Sequence, residues 1–298
     1  MSAGASITAR VYHPEQNVGI RRVITRSLLP AARRDPRLQP WTTLPTGGAL
    51  SSAACVICGW RGSRFEGFAH CESARCPSCG SIARDRFLYH CFVQRVPWRP
   101  GLAVLETSPR LGEDYRDVMA SRMAYRASDF DQAGHRTGLA IDLQHIDLPD
   151  GSLDVILTPH VLEHIPDTAR TLAELHRVLR PGGTALVQVP LLQPATAAPV
   201  EPEYHEDRTL VHWRFGVDLT ERMRRAGFGT SMLVTDDLAR RVARGDDSWD
   251  DVSPEFDAGG LVQAMHRRDL VVVASDRVAR RMGFEPSYMF VTWECRKP

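Results

Sequence analysis

The chain has 298 residues, of which 43% are hydrophobic and 24% charged, and its formal net charge is +1. This is the composition of an ordinary globular protein with room for one large and one small domain, and the balanced charge does not indicate a nucleic-acid or anionic-membrane partner. There is no run of about 18 apolar residues and no apolar secretory signal, so the sequence predicts a cytoplasmic protein without a membrane span.

Residues 1–50 form the first predicted segment, a basic N-terminal arm. They contain seven arginines but only two acidic residues, Glu15 and Asp35. The segment lacks hydrophobic periodicity and passes into LPTGGALSSAA, whose glycines and serines are typical of a linker. We therefore predict a flexible arm. An organelle transit peptide is the alternative for a start that is rich in arginine and poor in acidic residues.

The second segment, residues 51–95, is dense in cysteine. Two C-x2-C pairs are separated by 17 residues, and Gly59 and Gly80 directly after the pairs let the backbone fold over a metal. In a reducing compartment this pattern indicates metal ligation rather than disulfides, and four thiolates leave no open coordination position for catalysis. The sequence predicts a structural zinc ribbon with a connecting helix over 82–94, and its ligands are Cys55, Cys58, Cys76 and Cys79.

Other potential ligands lie in the same segment but rank lower. Cys71 has no paired partner, and Cys91 lies on the apolar face of the predicted helix. The histidines next to these two cysteines, His70 and His90, are the remaining alternatives. The paired spacing therefore favours the four-thiolate site over a mixed one.

From residue 96 onward, short apolar runs alternate with amphipathic segments, which is typical of a parallel sheet with crossover helices. The sequence therefore predicts an α/β fold with a doubly wound, mostly parallel sheet over 96–298, with 235–268 as an insertion or lid and 276–298 as a C-terminal extension. Helices are predicted at 168–179 and 217–226. Strands are predicted at 102–106, 123–128, 139–143, 154–158 and 184–189, with further candidates at 232–234, 270–274 and 289–295, of which the sheet needs two.

A longer block, residues 141–190, has the sequence IDLQHIDLPDGSLDVILTPHVLEHIPDTARTLAELHRVLRPGGTALVQVP. It resembles the central block of class I S-adenosylmethionine-dependent methyltransferases of the type-11 kind. CPSCGSIARDR resembles the end of a zinc ribbon that precedes the catalytic domain in one bacterial branch, and HEDRTLVHWRFGVDLTERMRRAGF resembles downstream segments of that branch. The resemblance covers roughly residues 55–230. It implies a seven-stranded Rossmann-like sheet with the cofactor beyond the carboxyl ends of the strands.

The resemblance also implies which residues bind S-adenosylmethionine. Asp129, after the second strand, would accept the ribose hydroxyls, and Asp142 would take the adenine amino group while the N–H of Leu143 meets the ring. An ordinary loop acid is the alternative for both aspartates. The first loop, ETSPRLG, departs from the glycine-rich norm, although its proline matches a variant of the zinc-ribbon branch. The implied set is Glu106, Ser108, Pro109, Arg110, Asp129, Phe130, Asp142, Leu143, Pro159 and His160. For the cofactor carboxylate we hypothesise Ser108 or Arg110, or else Arg84 or Arg86 of the predicted ribbon helix, with surface salt bridges as the alternative for the two ribbon arginines.

The stretch TPHVLEHIP, residues 158–166, contains the order H-x-x-E-H, which is a zinc-protease signature. That chemistry needs both histidines on a continuous helix, whereas this motif directly follows a predicted buried strand and lies between Pro159 and Pro166. The sequence therefore predicts a loop with one helical turn. In the methyltransferase resemblance this loop follows the fourth strand, and His160 is its member that faces the reacting methyl group.

Methyl transfer is an in-line displacement at a sulfonium, so the protein chiefly positions the nucleophile and excludes water. A general base is needed only where the acceptor must lose a proton, and a packing or solvated role is the alternative for each candidate. The candidate catalytic residues are His160, His205, Glu206 and His212.

The sequence favours a small-molecule or peptide acceptor, because the catalytic domain has no basic stripe for nucleic acid. Two alternatives stay open. One is an RNA methyltransferase whose ribbon and basic arm contact phosphate; the other is a non-catalytic binding protein with a degenerate cofactor site. The oligomeric state is not predicted.

Overall fold

The computed structural model describes residues 53–67, 73–130, 138–205, 208–248, 257–284 and 291–298. The predicted basic arm, together with His70, Cys71 and Glu206, lies outside these ranges. Within the described ranges, no helix has the length and apolar character needed to pass through a bilayer.

The cysteine-rich segment forms a small hairpin and one helix. β1 (Ala53–Ala54) pairs antiparallel with β2 (Arg61–Gly62), and α1 (Ala83–Arg95) follows the second cysteine pair. The N–H of Ile82 donates to the carboxylate of Asp85 at 2.9 Å, which satisfies a free donor at the start of the helix. The predicted connecting helix is thereby confirmed to within one residue at each end.

In the described residues after residue 100, seven strands form one sheet and two short ones form a separate hairpin. In chain order they are β3 (Ala103–Thr107), β4 (Ala124–Ser128), β5 (Leu153–Pro159), β6 (Leu179–Gln188), the hairpin pair β7 (Glu203–Tyr204) and β8 (Leu210–Val211), then β9 (Gly229–Thr235), β10 (Leu270–Ala274) and β11 (Val291–Arg296). The sheet order is β10-β9-β11-β6-β5-β3-β4. Among these described strands of the sheet, β11 alone runs antiparallel to its neighbours, β6 and β9. This confirms the predicted doubly wound, mostly parallel α/β sheet.

The prediction of a strand over 139–143 is wrong. Ala140 makes only an isolated parallel bridge to Asp129, beyond the end of β4. The carboxylate of Asp142 accepts the N–H of Gln144 at 2.8 Å, and such a local turn competes with strand pairing. The sheet reaches seven strands because β10 pairs with β9 at the opposite edge, so all three of the late strand candidates are formed.

Helices cover both faces of the sheet, as a doubly wound topology requires. Val104 and Leu157 contribute to the core on the face covered by α1, whereas Leu105 and Ile156 contribute to the core on the other face. Because neighbouring strand residues point to opposite faces, these central strands are apolar throughout. The remaining helices are α2 (Glu113–Ala120), α3 (Thr168–Val178), α4 (Leu219–Arg225), α5 (Asp236–Arg244), α6 (Ala258–Ala264) and α7 (Asp276–Arg281).

The C-terminal part of the chain contributes to the sheet and also holds the ribbon. The helices α5 and α6 lie between the parallel strands β9 and β10 in the chain, and the role of residues 235–268 as an insertion or lid stays a prediction. The ring of Phe284 packs edge-on against Phe87 of α1, with 6.0 Å between centroids. His90 of α1 lies with Nε2 2.8 Å from the carbonyl of Val273 in β10. The ribbon helix therefore packs on one face of the sheet and contacts the edge strand β10 through His90.

Candidate cofactor and metal sites

The four predicted metal ligands meet at one point. Their Sγ atoms all lie within 4.8 Å of one another. Within this group, Cys55 and Cys79 are 3.7 Å apart, as are Cys58 and Cys76. Four thiolates at about 2.3 Å from a central Zn²⁺ would be spaced by about 3.8 Å. The donor set and its spacing therefore fit a closed tetrahedral zinc site.

Both cysteine pairs lie in tight backbone turns that direct their sulfurs inward. The N–H of Gly59 donates to Cys55 O and that of Gly80 to Cys76 O, both at 2.9 Å. The glycines have φ of 76° and 71°, which is the left-handed region that favours glycine. The hydroxyl of Ser81 lies 3.2 Å from the sulfur of Cys79. Once that sulfur is a thiolate ligand, the hydroxyl is placed to donate to it.

Two of the lower-ranked potential metal ligands, His90 and Cys91, lie in the described residues, and both make contacts away from the four-cysteine cluster. His90 contacts the carbonyl of Val273, as given above, and Cys91 is fully buried in the apolar core, where burial raises the pKa of its thiol. Among the described residues, the four paired cysteines are the only cluster of potential ligands close enough to hold a metal ion.

The two predicted adenosine ligands lie close together beyond the carboxyl end of β4. The N–H of Ile141 donates to Asp129 O at 3.0 Å, so Asp142 directly follows a residue that is bonded to Asp129. Both aspartates are half-buried. The carboxylate of Asp129 accepts the N–H of Phe130 at 2.8 Å, and the side chain of Phe130 is 76% exposed. Leu143 is buried beside them. Two carboxylates and an uncovered aromatic ring thus occupy one edge of the sheet.

The first loop obtains its turn without glycine. Ser108 has φ of 47°, a left-handed conformation that non-glycine residues rarely adopt. Its N–H donates to Ser128 O at 2.6 Å, which ties the loop to the end of β4. Pro109 is buried behind it. The backbone turn that a glycine-rich loop normally provides is therefore present here at the cost of some strain.

Glu106, at the end of β3, is buried beneath this loop. Its Oε2 accepts the hydroxyls of Tyr115 at 2.9 Å and Tyr125 at 2.7 Å. Burial raises the pKa of Glu106 to about 7, against the opposing effect of the two tyrosine hydrogen bonds. One carboxylate oxygen is thus engaged within the protein, and the role of Glu106 in cofactor binding stays a prediction.

The arginines proposed for the cofactor carboxylate are in different environments. Arg110 of the first loop is exposed, forms an ion pair with Asp85 of α1 and donates to Gly80 O at 3.2 Å. Arg84 is half-buried on the first turn of α1. The prediction for Arg86 is wrong: its side chain is fully buried and donates to Ser81 O, Ala74 O and Met282 O. A guanidinium enclosed by three carbonyls serves packing and is not available to a ligand.

The H-x-x-E-H stretch is not a zincin helix. β5 ends at Pro159, and a single 3-10 turn, Leu162–His164, follows after a break at His160. His160 has φ of 49°, and its N–H donates to Gln188 O at 2.8 Å. The two histidines therefore do not share a helix, and the predicted loop with one helical turn is confirmed.

The candidate general bases group around this loop. His164 Nδ1 lies 2.8 Å from Leu210 O, and the ring of His205 stands edge-on to it with 4.6 Å between centroids. The N–H of His212 donates to Glu163 O at 2.8 Å. The hairpin of β7 and β8 thus brings His205 and His212 to the loop after β5, which sequence spacing alone did not reveal.

Sequence reasoning missed Glu163, the acidic member of the same motif. Its side chain is 2% exposed, and its Oε1 lies 3.5 Å from Nδ1 of His160. Burial raises the pKa of Glu163, but the interaction with His160 outweighs it, so the net shift is downward. The sequence does contain a clue to Glu163, because it is the single acidic residue in an otherwise apolar and histidine-containing stretch. Comparing this stretch with the protease pattern drew attention away from that residue.

Three further polar side chains at the carboxyl ends of the central strands have unsatisfied oxygens. Thr107 Oγ1 at the end of β3, Thr158 Oγ1 in β5 and Gln188 Oε1 at the end of β6 are buried without a hydrogen-bond partner. Adjacent register brings these strand ends together. Thr107 and Thr158 follow Leu105 and Ile156 by two residues and share their face, whereas the amide of Gln188 donates to Arg84 O on the face covered by α1. Buried polar atoms are normally satisfied, so the two threonine hydroxyls at adjacent strand ends fit a polar ligand that binds there.

The fold and the crevice agree with the resemblance to class I S-adenosylmethionine-dependent methyltransferases, and a comparison with known families supports it. Residues 110–187 match the family model described as a methyltransferase domain. The earlier resemblance is thereby confirmed for the methyltransferase domain.

Two relatives that match part of this chain have names of this class. A probable S-adenosylmethionine-dependent methyltransferase of Mycolicibacterium smegmatis is 33% identical over 150 residues, which cover 45% of this chain and 55% of the relative. One of Mycobacterium tuberculosis is 38% identical over 64 residues, or 20% of this chain and 23% of the relative. The chain thus spans about half the length of the first relative and less of the second. A solved methyltransferase from Mesorhizobium loti is 17% identical, with a TM-score of 0.39 over 70% of this chain and 97% of that one.

Proposed function

We propose that this protein transfers a methyl group from S-adenosylmethionine to a small-molecule or peptide acceptor. The observation that carries the proposal is the coincidence of two features at one end of the sheet. One is the pair of half-buried carboxylates, Asp129 and Asp142; the other is the pair of unsatisfied hydroxyls of Thr107 and Thr158. The first suits the hydroxyl and amino donors of an adenosine, and the second suits the polar amino-acid end of the cofactor.

Different residues of this chain would bind different parts of the cofactor. Asp129 would accept the ribose hydroxyls, and Asp142 and the N–H of Leu143 would hold the adenine. Ser108 and Arg110 stay the candidates for the cofactor carboxylate. The bound cofactor supplies a methyl group already activated by a positive sulfur, so the chain needs to orient the acceptor and exclude water.

The acceptor is proposed to lie near the loop after β5 and the hairpin of β7 and β8. His160, His205 and His212 are in this part of the described structure, and imidazole is suited to proton transfer near neutral pH. Glu206 belongs to the same group of candidates but lies outside the described residues. A small-molecule or peptide acceptor is favoured over RNA because the net charge is only +1.

We also propose that the ribbon binds one structural Zn²⁺ through Cys55, Cys58, Cys76 and Cys79. The sulfur spacing supports a tetrahedral ion, and a closed thiolate site has no position for a substrate. Reduced thiolates are typical of a cytoplasmic protein, which is the location we propose.

Cofactor binding is tested by titrating S-adenosylhomocysteine into the zinc-loaded protein in a calorimeter. We expect Asp129→Ala and Asp142→Ala each to weaken binding by about 10- to 100-fold, because each loses a hydrogen bond to a charged group. Asp147→Ala, an exposed acid in the loop after Asp142, is the matched control and should bind as the wild type does. Absence of any binding by the wild type at millimolar ligand would favour the non-catalytic alternative.

The RNA alternative predicts a different response. RNA binding that depends on the basic arm should weaken steeply between 50 and 200 mM salt, by about 10³-fold or more for six phosphate contacts. Filter binding of the full chain to a mixed RNA pool measures this. We expect no binding of that strength, and a tight, salt-sensitive complex would contradict the proposed acceptor class.

A further inference from the structure

Glu163 is a buried acid with no evident structural task for its side chain. The side chain is 2% exposed, and neither carboxylate oxygen has a hydrogen-bond partner among the described residues. Removing a carboxylate from water is costly unless it is well paired. The chain contains a contrasting case, because the equally buried Glu294 accepts two hydrogen bonds from Arg95 at 2.9 and 3.0 Å. The Glu163 carboxylate has no comparable hydrogen-bonded partner among the described residues, which indicates a functional role for it rather than a structural one.

The nearest ionisable group to this carboxylate is the ring of His160. Its Nδ1 lies 3.5 Å from Glu163 Oε1, slightly beyond a direct hydrogen bond. Hydrogen bonds between catalytic groups are often long before substrate binds, and they tighten in the complex. The side chain of His160 is 19% exposed, so the ring contacts the buried acid while keeping access to solvent.

The backbone holds His160 in this position. Its φ of 49° is strained for a residue with a side chain, and its N–H is fixed by Gln188 O at the end of β6. Strain of this kind persists where the surroundings over-determine it, and it concentrates at functional sites. His160 is thereby placed at the same strand ends as the unsatisfied oxygens of the crevice.

The other groups packed around the motif have partners of their own. His164 contacts Leu210 O and stands edge-on to His205, and the backbone carbonyl of Glu163 accepts the N–H groups of His212 and Trp213. The ionisable partner recorded for the Glu163 carboxylate among the described residues is His160.

We propose that Glu163 is the positioning residue for a general base at His160. The carboxylate keeps the imidazole proton on Nδ1, so that Nε2 presents its lone pair to the acceptor. As the acceptor oxygen or nitrogen forms its bond to the methyl carbon, its proton moves to Nε2. The carbon–sulfur bond breaks with its electron pair on sulfur, which becomes a neutral thioether, and Glu163 stabilises the imidazolium. This inference rests on the proposed function.

The test determines which ring nitrogen of His160 carries the proton, by nitrogen NMR of the zinc-loaded full-length protein with labelled histidines. The variant His160→Gln assigns the signals of this ring. In the wild type we expect a single tautomer with the proton on Nδ1. Glu163→Met keeps the length of the side chain and removes the acceptor, so the proton should move mainly to Nε2 while the melting temperature stays equal or rises. Glu163→Gln, the second variant, should lower the fraction protonated on Nδ1.

Glu294→Met is the matched control for burying methionine in place of glutamate. It removes the partner of Arg95, so the melting temperature should fall by about 5 °C or more with the His160 signals unchanged. The inference is overturned by a wild-type proton on Nε2, by an unchanged tautomer in Glu163→Met and Glu163→Gln, or by equal destabilisation in Glu163→Met and Glu294→Met. Calorimetry with S-adenosylhomocysteine on the wild type separates this result from a failure of the proposed function.

Discussion

Glu106 illustrates how a single residue combines local and long-range requirements. As a strand-end acid before the first loop it matched a cofactor position, yet its Oε2 is occupied by the hydroxyls of Tyr115 and Tyr125. Glu163, in contrast, was passed over although it has the less satisfied carboxylate. Sequence indicates that an acid is present at a strand end. The contacts that decide its protonation come from elements that only the fold brings together.

The raised pKa of Glu106 predicts a pH dependence of stability. Its folded-state pKa of about 7 lies above the ordinary value of 4.5, so the folded protein binds the extra proton between these pH values. The stabilising contribution is complete below pH 4.5 and is lost as pH rises through 7. Glu106→Gln removes this dependence. Relative to wild type, its free energy of unfolding should therefore rise by about 3 kcal/mol from acid to alkaline conditions.

Urea unfolding at pH 5 and pH 8 measures this difference, and subtracting wild type from variant cancels the common effect of zinc. Glu113→Gln, an exposed acid at the start of α2, is the control and should show no pH-dependent difference. A constant offset between Glu106→Gln and wild type at both pH values would contradict the raised pKa.

At the scale of the element, apolar runs identified the central strands well, because β3, β5 and β6 are buried on both faces. The failed element, 139–143, was the one whose polar side chains form local turns. The location of Asp142 next to Asp129 was nevertheless predicted correctly. Asp142 lies beside Asp129 because one backbone bridge, with no strand, is sufficient to bring the two together.

The loop after Asp142 is held by α3, and we predict that this support contributes to cofactor affinity. Arg177 donates to Ile146 O at 2.7 Å and Leu148 O at 2.9 Å, and Glu174 accepts the N–H of Ile146 at 2.8 Å. Arg177→Ala should lower stability, because two carbonyls lose their donor. It should also weaken S-adenosylhomocysteine binding several-fold.

Thermal unfolding and calorimetry of the same samples check both parts. Arg225→Ala, an exposed arginine at the end of α4, controls for the loss of a helix-terminal charge. Unchanged affinity together with reduced stability would restrict Arg177 to a structural role.

At the scale of the whole molecule, the ribbon and the C-terminal segment form one packing unit. Arg86 donates to Ala74 O and Ser81 O within the ribbon and to Met282 O, a residue 196 positions further along the chain. Its guanidinium also lies 3.8 Å from the centre of the Phe65 ring. Cysteine spacing predicted the cluster of four sulfurs, since the four cysteines are near one another in sequence. The docking could not be predicted, because one buried arginine in a sequence rich in arginine carries no signal of its distant partner.

The packing between the ribbon and the C-terminal segment predicts that the zinc-binding segment and the catalytic domain unfold in one cooperative transition. Removing zinc with a chelator, or by Cys58→Ser, should lower the melting temperature of the whole chain in a single transition, because the ribbon core continues into the packing around Met282. Arg86→Ala should lower stability by about 3 kcal/mol or more even with zinc bound, since three buried carbonyls lose their donor. Arg64→Ala, exposed on the ribbon, is the matched control. Two separate transitions on chelation, with the later one at the melting temperature of the zinc-loaded protein, would show instead that the ribbon unfolds alone.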